Sequence, residues 1–447
     1  MIGHLVSSQR ILTAGFFLLV TPFAFAQDSR EERRFRRLLE GRNDFARLKA
    51  IESVAGDFKA RSAALPAVVA SMDELLADGR FDRINDAQPE LSDGIASMIR
   101  FIATVEKPEA TESLVRVLSS QRKTWVMLSA SVLAKHHHHD AIDDILALRE
   151  HGSFATHYGF RFSVARALTE MSHPDAWEAL AKLSTELDGQ LWHLIQERFD
   201  EVTLDDFEGE SERFESWQES AGVVTEEAEK TLGDEPKSED QPDTDPTLPK
   251  QMVLAPSMSP AAYRQRRLAP SKYYGIDIHA KRMLFVIDRS GSMNTLEGYD
   301  TRMAKAKREL TNAISGLTED SEFGILVFDT QIRSWKSLLV AATDKNKRDA
   351  AQFISKLSAG SSTNTYGALR LSLEFDDQLE AVFFLSDGKP TTGRVLDPAV
   401  ILTDVLRRNE VKHIMINTIA ITRDPILQNF LRNLAEPSQG EFRAVTR

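Results

Sequence analysis

The chain contains no cysteine, which excludes disulfides, thiolate metal sites and a cysteine nucleophile throughout. Stability must therefore come from cores of adequate size, helped by any bound metal. Positive charge is also in deficit. The 55 Lys and Arg residues against 67 Asp and Glu leave a formal net charge of -12, which opposes general attraction to nucleic acid or anionic lipid. The basic run Arg264–Arg267 is too short, and too close to a linker-like stretch, to reverse that reading. After the first 26 residues no apolar stretch reaches the roughly 20 residues that a membrane-spanning helix needs. A GxSxG elbow, a GxxxxGK[ST] phosphate loop and a dinucleotide fingerprint after a first strand are all missing. No carboxylate pair is patterned specifically enough to nominate a glycosidase.

What is present begins with an export signature. Arg10 precedes the apolar run from Ile11, Pro22 interrupts it, and Ala24-Phe25-Ala26 supplies a small-x-small cleavage site ahead of Gln27. Residues 1–26 are expected to be a signal peptide, and the chain to be exported and soluble after cleavage. A cysteine-free exported chain fits a bacterial periplasm or exterior better than a small disulfide-stapled module.

At 447 residues the chain is long enough for two or three domains. Residues 27–110 carry charged and apolar positions at helical spacing, broken near Gly41, Gly56, Gly79 and Pro89. From 111 to 220 the helical pattern strengthens and shows an internal echo. His139-Asp140-Ala141-Ile142 and His173-Pro174-Asp175-Ala176 each precede an apolar helix, with Asp140 and Asp175 35 residues apart. That spacing resembles HEAT-like two-helix repeats, an irregular helical bundle being the alternative, and each aspartate is expected to open a helix by capping its free amides. A last helix is expected to dock around Phe207–Trp217. Residues 221–267 read as an acidic, proline-containing solvated linker.

From 268 to 447 the period changes. Strand patterns at 281–288, 323–329, from Ala381 and from His413 alternate with helical patterns at 302–317, from Asn346, at Tyr366–Leu373, around Ala399–Arg407 and near Ile426–Leu434. IRSWKSL is expected to add a short antiparallel edge. The alternation predicts an α/β doubly wound, mainly parallel sheet covered by helices on both faces, following an all-α region. Sites in such sheets lie beyond the carboxyl ends of strands.

The first strand runs into Asp288-Arg289-Ser290-Gly291-Ser292, which places one carboxylate and two hydroxyls on a tight loop at that sheet edge. Oxygen donors of this type suit Mg²⁺ or Mn²⁺, and hydroxyl ligation leaves the ion electrophilic. With the FVI strand before it, GSSTNTYGAL at a distance and FFLSDGKPTTG after a second strand, this segment resembles the von Willebrand factor A family and its metal-ion-dependent adhesion motif. The resemblance covers about 175 residues. It implies direct ligation by Ser290, Ser292 and Thr363, with Thr365 as the alternative threonine, and ligation by Asp288 and Asp387 directly or through water. Arg289 departs from the small or apolar residue of many relatives, and an outward or locally paired side chain is expected there.

The run His136–His139 lacks the i, i+4 spacing with glutamate of a metallopeptidase and reads as a solvated helix boundary. Ser290 and Ser292 share the domain with His413, but an activated serine needs a base within about 3 Å, and His413 is expected at the opposite sheet edge. No catalysis is expected. Two functions remain: an exported module that captures an acidic group of a protein partner through a divalent cation, with a second partner on the helical region, or a periplasmic scaffold in which the helices make the main contact and the cation only stabilises.

Overall fold

The computed structural model describes residues 30–40, 43–78, 91–221, 269 and 271–445. The expected signal peptide, the basic run at 264–267 and all but the first residue of the expected linker lie outside them. The chain divides into two compact units, 1–114 and 115–447.

In the first unit, helices α1 (Arg30–Glu40), α2 (Asp44–Ala55), α3 (Phe58–Ala77) and α4 (Asp93–Ala103) precede α5 (Pro108–Leu118), which runs into the second unit. Asn43 and Asp57 accept the amides of Ala46 and Ala60, so each supplies the side-chain oxygen that a helix start requires. Helix α4 is capped from a neighbour: Asp44 Oδ2 accepts the Gly94 N–H at 2.9 Å, an approach that a Cβ on Gly94 would block. Leu39, Val54, Leu65, Val68, Met72 and Ile99 form the fully buried interior.

The second unit opens with α6 (Lys123–Lys135), α7 (Ile142–Ala147), α8 (Gly152–Thr156), α9 (Tyr158–Met171), α10 (Pro174–Ser184), α11 (Gly189–Phe199) and α12 (Ser211–Ala221). Helix α9 packs between α6 and α10, and α12 packs on α10. The expected last helix is present: the Trp217 indole N–H donates to the Trp177 carbonyl at 3.1 Å and its ring lies against Phe199 and Phe207. The capping expected of the two aspartates differs. Asp140 sits within a 3₁₀ turn, while the His173 ring, not Asp175, caps α10 by accepting the Asp175 N–H. Asp175 and Glu178 instead pair with Arg213 of α12, tying the last helix down.

The α/β part begins with the hairpin β1 (Ser271–Tyr273) and β2 (Ile276–Ile278), followed by β3 (Arg282–Asp288) and a small hairpin, β4 (Leu296–Glu297) and β5 (Asp300–Thr301). There follow α13 (Arg302–Gly316), β6 (Glu322–Phe328), β7 (Ile332–Ser334), β8 (Val340–Ala341), α14 (Asp344–Ser355) and α15 (Thr365–Leu373). The chain ends with β9 (Ala381–Ser386), α16 (Pro398–Lys412), β10 (Met415–Ala420), α17 (Pro425–Ala435) and β11 (Phe442–Ala444). The seven-stranded sheet has the order β11-β10-β9-β3-β6-β7, with β8 also on β6. All pairings from β11 to β6 are parallel, and β7 and β8 run antiparallel to β6. Alternate residues of a strand face opposite sides. Met283, Phe285 and Ile287 therefore enter one core with Ala306 and Leu310 of α13 and Ile354 of α14. Leu284 and Val286 enter the other, with Leu369 of α15, Val405 of α16 and Leu431 of α17. Burial on both faces explains why these strands read as unbroken hydrophobic runs.

The helices of the second unit close the amino-terminal end of this sheet. Tyr158 N–H donates to the Asp377 carbonyl at 3.0 Å, and Gly159 comes so near the Val411 carbonyl that a Cβ would collide. His413 stacks on Phe162 with ring centroids 4.6 Å apart. The central contact is Glu380, just before β9. Its Oε2 accepts the Gln190 N–H at 2.9 Å and the Lys281 N–H at 3.0 Å. Gln190 lies in the first turn of α11, so Glu380 acts as a remote carboxylate cap at a positive helix end. Gly189 satisfies two demands there: its φ is 63°, and a Cβ would strike Glu380. Burial pushes the Glu380 carboxyl up to about 7 against the pull of those two amides.

Candidate metal centre

The parallel register sets Ile287 of β3 beside Leu385 of β9, so both strands deliver their following residues, Asp288 and Ser386–Asp387, to one end of the sheet. This is the carboxyl end, where open α/β sheets build their sites. Asp288 is fully buried. Its Oδ1 accepts the Ser290 N–H at 2.7 Å, which folds the loop back sharply, and its Oδ2 accepts the Ser386 hydroxyl at 2.6 Å. The tight return carries Ser290 and Ser292 to the same side, with their hydroxyl oxygens 2.9 Å apart. The Ser292 hydroxyl donates to Asp387 Oδ1 at 2.7 Å, and the Ser290 hydroxyl lies 3.5 Å from the same oxygen.

Thr363 joins them from the loop before α15. A Cβ built on Gly388 would stand 3.3 Å from Thr363 Oγ1, 3.4 Å from Ser292 Oγ and 3.8 Å from Ser290 Oγ, so the three hydroxyls ring one small space. The Thr363 backbone is held on both sides: its N–H donates to the Thr391 hydroxyl at 2.8 Å, and its carbonyl accepts the amides of Thr391 and Thr392. Thr365 instead opens α15, and its buried hydroxyl finds no hydrogen-bond partner among the described residues. All five sequence candidates, Asp288, Ser290, Ser292, Thr363 and Asp387, therefore meet at one sheet end, while Thr365 sits in the adjoining helix.

Burial pushes the Asp288 carboxyl up to about 7 even though the Ser386 hydroxyl and the Ser290 amide favour its charged form, and Asp387 nearby adds to the rise. A buried carboxylate beside another, with three hydroxyls turned inward, suits a hard divalent cation by donor type. The set contains only two carboxylates. Among the described residues no group of three or more His, Cys, Asp and Glu side chains is placed to hold a metal ion, so the hydroxyls are essential to any such site.

The sequence reading missed three partners. Ser386 orients Asp288, and Arg302, the first residue of α13, donates to Asp387 Oδ2 at 2.8 Å. Glu297 of the β4–β5 hairpin takes the Nε of the same guanidinium at 3.0 Å. Ser386 carried a local signal, being the residue before Asp387 at a strand end; Arg302 and Glu297 carried none. Arg289 has the local pairing expected, lying 3.1 Å from Asp329.

The histidines lie elsewhere. His413 ends α16 in a left-handed conformation at the amino end of β10, the opposite end of a parallel sheet from Ser290. Burial lowers its imidazole to about 4. Of the His136–His139 run, His139 packs against His173 at 4.3 Å beyond the end of α6.

Residues 281–444 match the family described as von Willebrand factor type A domain. Residues 281–444 are thus an α/β region consistent with a VWA-like fold, and an all-helical region precedes them. The chain is 30% identical over 137 residues to inter alpha-trypsin inhibitor heavy chain 4 of Mus musculus, covering 28% of this chain and 14% of that protein. Human von Willebrand factor A domain-containing protein 3A is 29% identical over 174 residues, covering 38% of this chain and 14% of that protein. The match thus spans about a seventh of these relatives' length. A von Willebrand factor type A structure from Catenulispora acidiphila aligns with a TM-score of 0.32 and 20% identity, over 37% of this chain and 38% of that one. Among the described residues no helix is long and apolar enough to cross a membrane.

Proposed function

We propose that the VWA domain, assigned to residues 268–447, binds Mg²⁺, with Mn²⁺ as an alternative, and uses it to capture an Asp or Glu carboxylate of a protein partner. Ser290, Ser292 and Thr363 would ligate the ion directly, and Asp288 and Asp387 directly or through water. Supporting this reading above all is the convergence of three hydroxyls and two carboxylates at the carboxyl ends of β3 and β9. Three of the five ligands are neutral hydroxyls, which leaves the ion more electrophilic than an all-carboxylate cage would, so an anionic group from outside is the natural further ligand. No bond is made or broken in this scheme, and the module is not an enzyme. The apolar run from Ile11 and the Ala24-Phe25-Ala26 triplet support export to a periplasm or the exterior.

A scaffold reading, in which the helical region makes the main contact and the ion only stabilises the sheet, draws support from the close docking of α9 and α11 on the amino end of the sheet. Calorimetric titration of Mg²⁺ and Mn²⁺ into the full chain, beside Asp288→Ala checked by circular dichroism, tests the metal site. Binding in the millimolar range or tighter, lost in the folded variant, is the expected result; a folded wild-type chain that binds neither ion would remove it as a site that fills without a partner. A candidate acidic partner released by chelator without loss of fold then favours capture, and one retained favours the scaffold.

A further inference from the structure

Arg302 is out of place by the ordinary rules of helix chemistry. It is the first residue of α13, immediately after the cap Thr301, where the helix dipole disfavours a positive charge. It is nevertheless well ordered by partners on both sides: Nη1 donates to Asp387 Oδ2 at 2.8 Å and Nε to Glu297 Oε1 at 3.0 Å. Its backbone N–H is also spent on the Thr295 carbonyl, which fixes where the side chain starts. Burial alone would lower the guanidinium pKa, but the hydrogen bonds to Asp387 and Glu297 overcome that and raise it. The charge is permanent in any case.

The Asp387 side chain is wholly buried and its two oxygens are divided. Oδ1 faces the Ser290 and Ser292 hydroxyls, and Oδ2 faces Arg302. We propose that Arg302 is a resident counter-cation of the metal site, which holds one oxygen of Asp387 and thereby weakens the site for a divalent ion. The proposal rests on the metal-binding reading above. Two physical effects act in the same direction. Coulomb repulsion between the guanidinium and an incoming cation is weakly screened in a partly buried site, and a carboxylate already paired has less charge to share with a metal. A site weakened in this way depends more on an acidic ligand from a partner to complete the charge balance. Glu297 opposes the effect, since it draws the guanidinium away from Asp387, and Lys305, 3.7 Å from Glu297, competes for it in turn.

The test is Mn²⁺ titration into the full chain, followed by calorimetry and by the electron paramagnetic resonance signal of free Mn²⁺, for wild type, Arg302→Gln, Arg302→Lys and Glu297→Gln, each checked for fold by circular dichroism. Arg302→Gln is expected to bind Mn²⁺ about tenfold more tightly, by the order of magnitude of one charge acting across a few ångströms. Arg302→Lys, which keeps the charge, should stay within about threefold of wild type. Glu297→Gln should bind about threefold more weakly, and it decides the matter if Arg302→Gln does not fold. Equal or weaker binding by a folded Arg302→Gln overturns the proposal, as does unchanged or tighter binding by Glu297→Gln where that variant decides. Binding by Arg302→Gln alone, with none by wild type, supports the proposal in its strongest form. A folded pair that binds no Mn²⁺ at all defeats the metal-site reading itself, and this proposal with it.

Discussion

The two ends of the VWA sheet each bury carboxylates, and they treat them in opposite ways. At the amino end, Glu380 is sealed by α11 and directs Oε2 at two backbone amides, Gln190 and Lys281. Arg282 approaches its second oxygen at 3.5 Å. At the carboxyl end, Asp387 shares its oxygens between mobile hydroxyl protons and a single guanidinium. Backbone amides cannot turn away, whereas serine hydroxyls rotate and can present lone pairs to a cation instead. The first arrangement is thus committed to holding two layers together, and the second, on the proposed reading, exchanges a proton-bearing network for a metal.

The sharpest way to break the contrast is to remove Glu380. Glu380→Ala strands the amides of Gln190 and Lys281 and leaves Arg282 without its buried partner. Leaving a buried donor unsatisfied typically costs about 1–3 kcal/mol, or about 2–6 kcal/mol for the two. We expect a loss of that size in denaturant unfolding, with Mn²⁺ affinity of the folded fraction unchanged within about twofold, because a seven-residue strand sets the two ends about 20 Å apart. A large loss of metal affinity with little loss of stability would reverse the assignment of roles.

A smaller effect separates charge from shape at the same residue. The Glu380 carboxyl lies near 7 in the folded chain against 4.5 ordinarily, so the native state keeps a proton that the unfolded state gives up. Its contribution is complete below about 4.5 and is lost as pH rises to about 7. His413 behaves oppositely: at about 4 instead of 6.5, it contributes fully above 6.5 and loses this as pH falls to 4. Each swing is worth roughly 3 kcal/mol, and the two oppose each other between about pH 4.5 and 6.5. Glu380→Gln removes only the first. Relative to wild type, the variant should gain stability by up to about 3 kcal/mol between pH 5 and 7, read from urea unfolding at each pH. Parallel curves for the two proteins would show that Glu380 is ionised throughout.

The contrast also explains what could be read from the sequence. The Asp288-Arg289-Ser290-Gly291-Ser292 loop is contiguous, and Thr363 and Asp387 follow recognisable patterns, so the hydroxyl-rich end was legible. Glu380 was not. It lies before a hydrophobic strand, where an exposed charge is ordinary, and its partner Gln190 is 190 residues earlier. Arg302 likewise read as one of several basic residues of an amphipathic helix. Hairpin β4–β5 has strands of two residues, too short to show a period. Helix α16 continues to Lys412, beyond the expected Arg407, because Asn409 bonds both backbone groups of Ile414 and stabilises the turn after the helix. The strand expected from His413 consequently begins at Met415. The misses at Glu380 and Arg302 depended on pairings that no local window contains, with Gln190 and Asp387 respectively.

The smallest effect sharpens the carboxyl end alone. Thr363 and Thr365 are both buried, 3% and 2% exposed, and valine has nearly the shape of threonine, so substitution tests the hydroxyl more than the packing. Thr363 Oγ1 belongs to the ring of hydroxyls near Gly388, whereas Thr365 Oγ1 has no hydrogen-bond partner among the described residues. Thr363→Val should therefore weaken Mn²⁺ binding about tenfold, equivalent to about 1.4 kcal/mol, with little change in melting temperature. Thr365→Val should leave affinity within about twofold, and stability unchanged or slightly raised, since it removes a buried hydroxyl that makes no bond. The reverse pattern would transfer the ligand role to Thr365 and require the start of α15 to turn toward the metal. Equal losses from both would mean that the loop before α15 responds as a unit, so that the cation organises the carboxyl end where the protein alone organises the amino end.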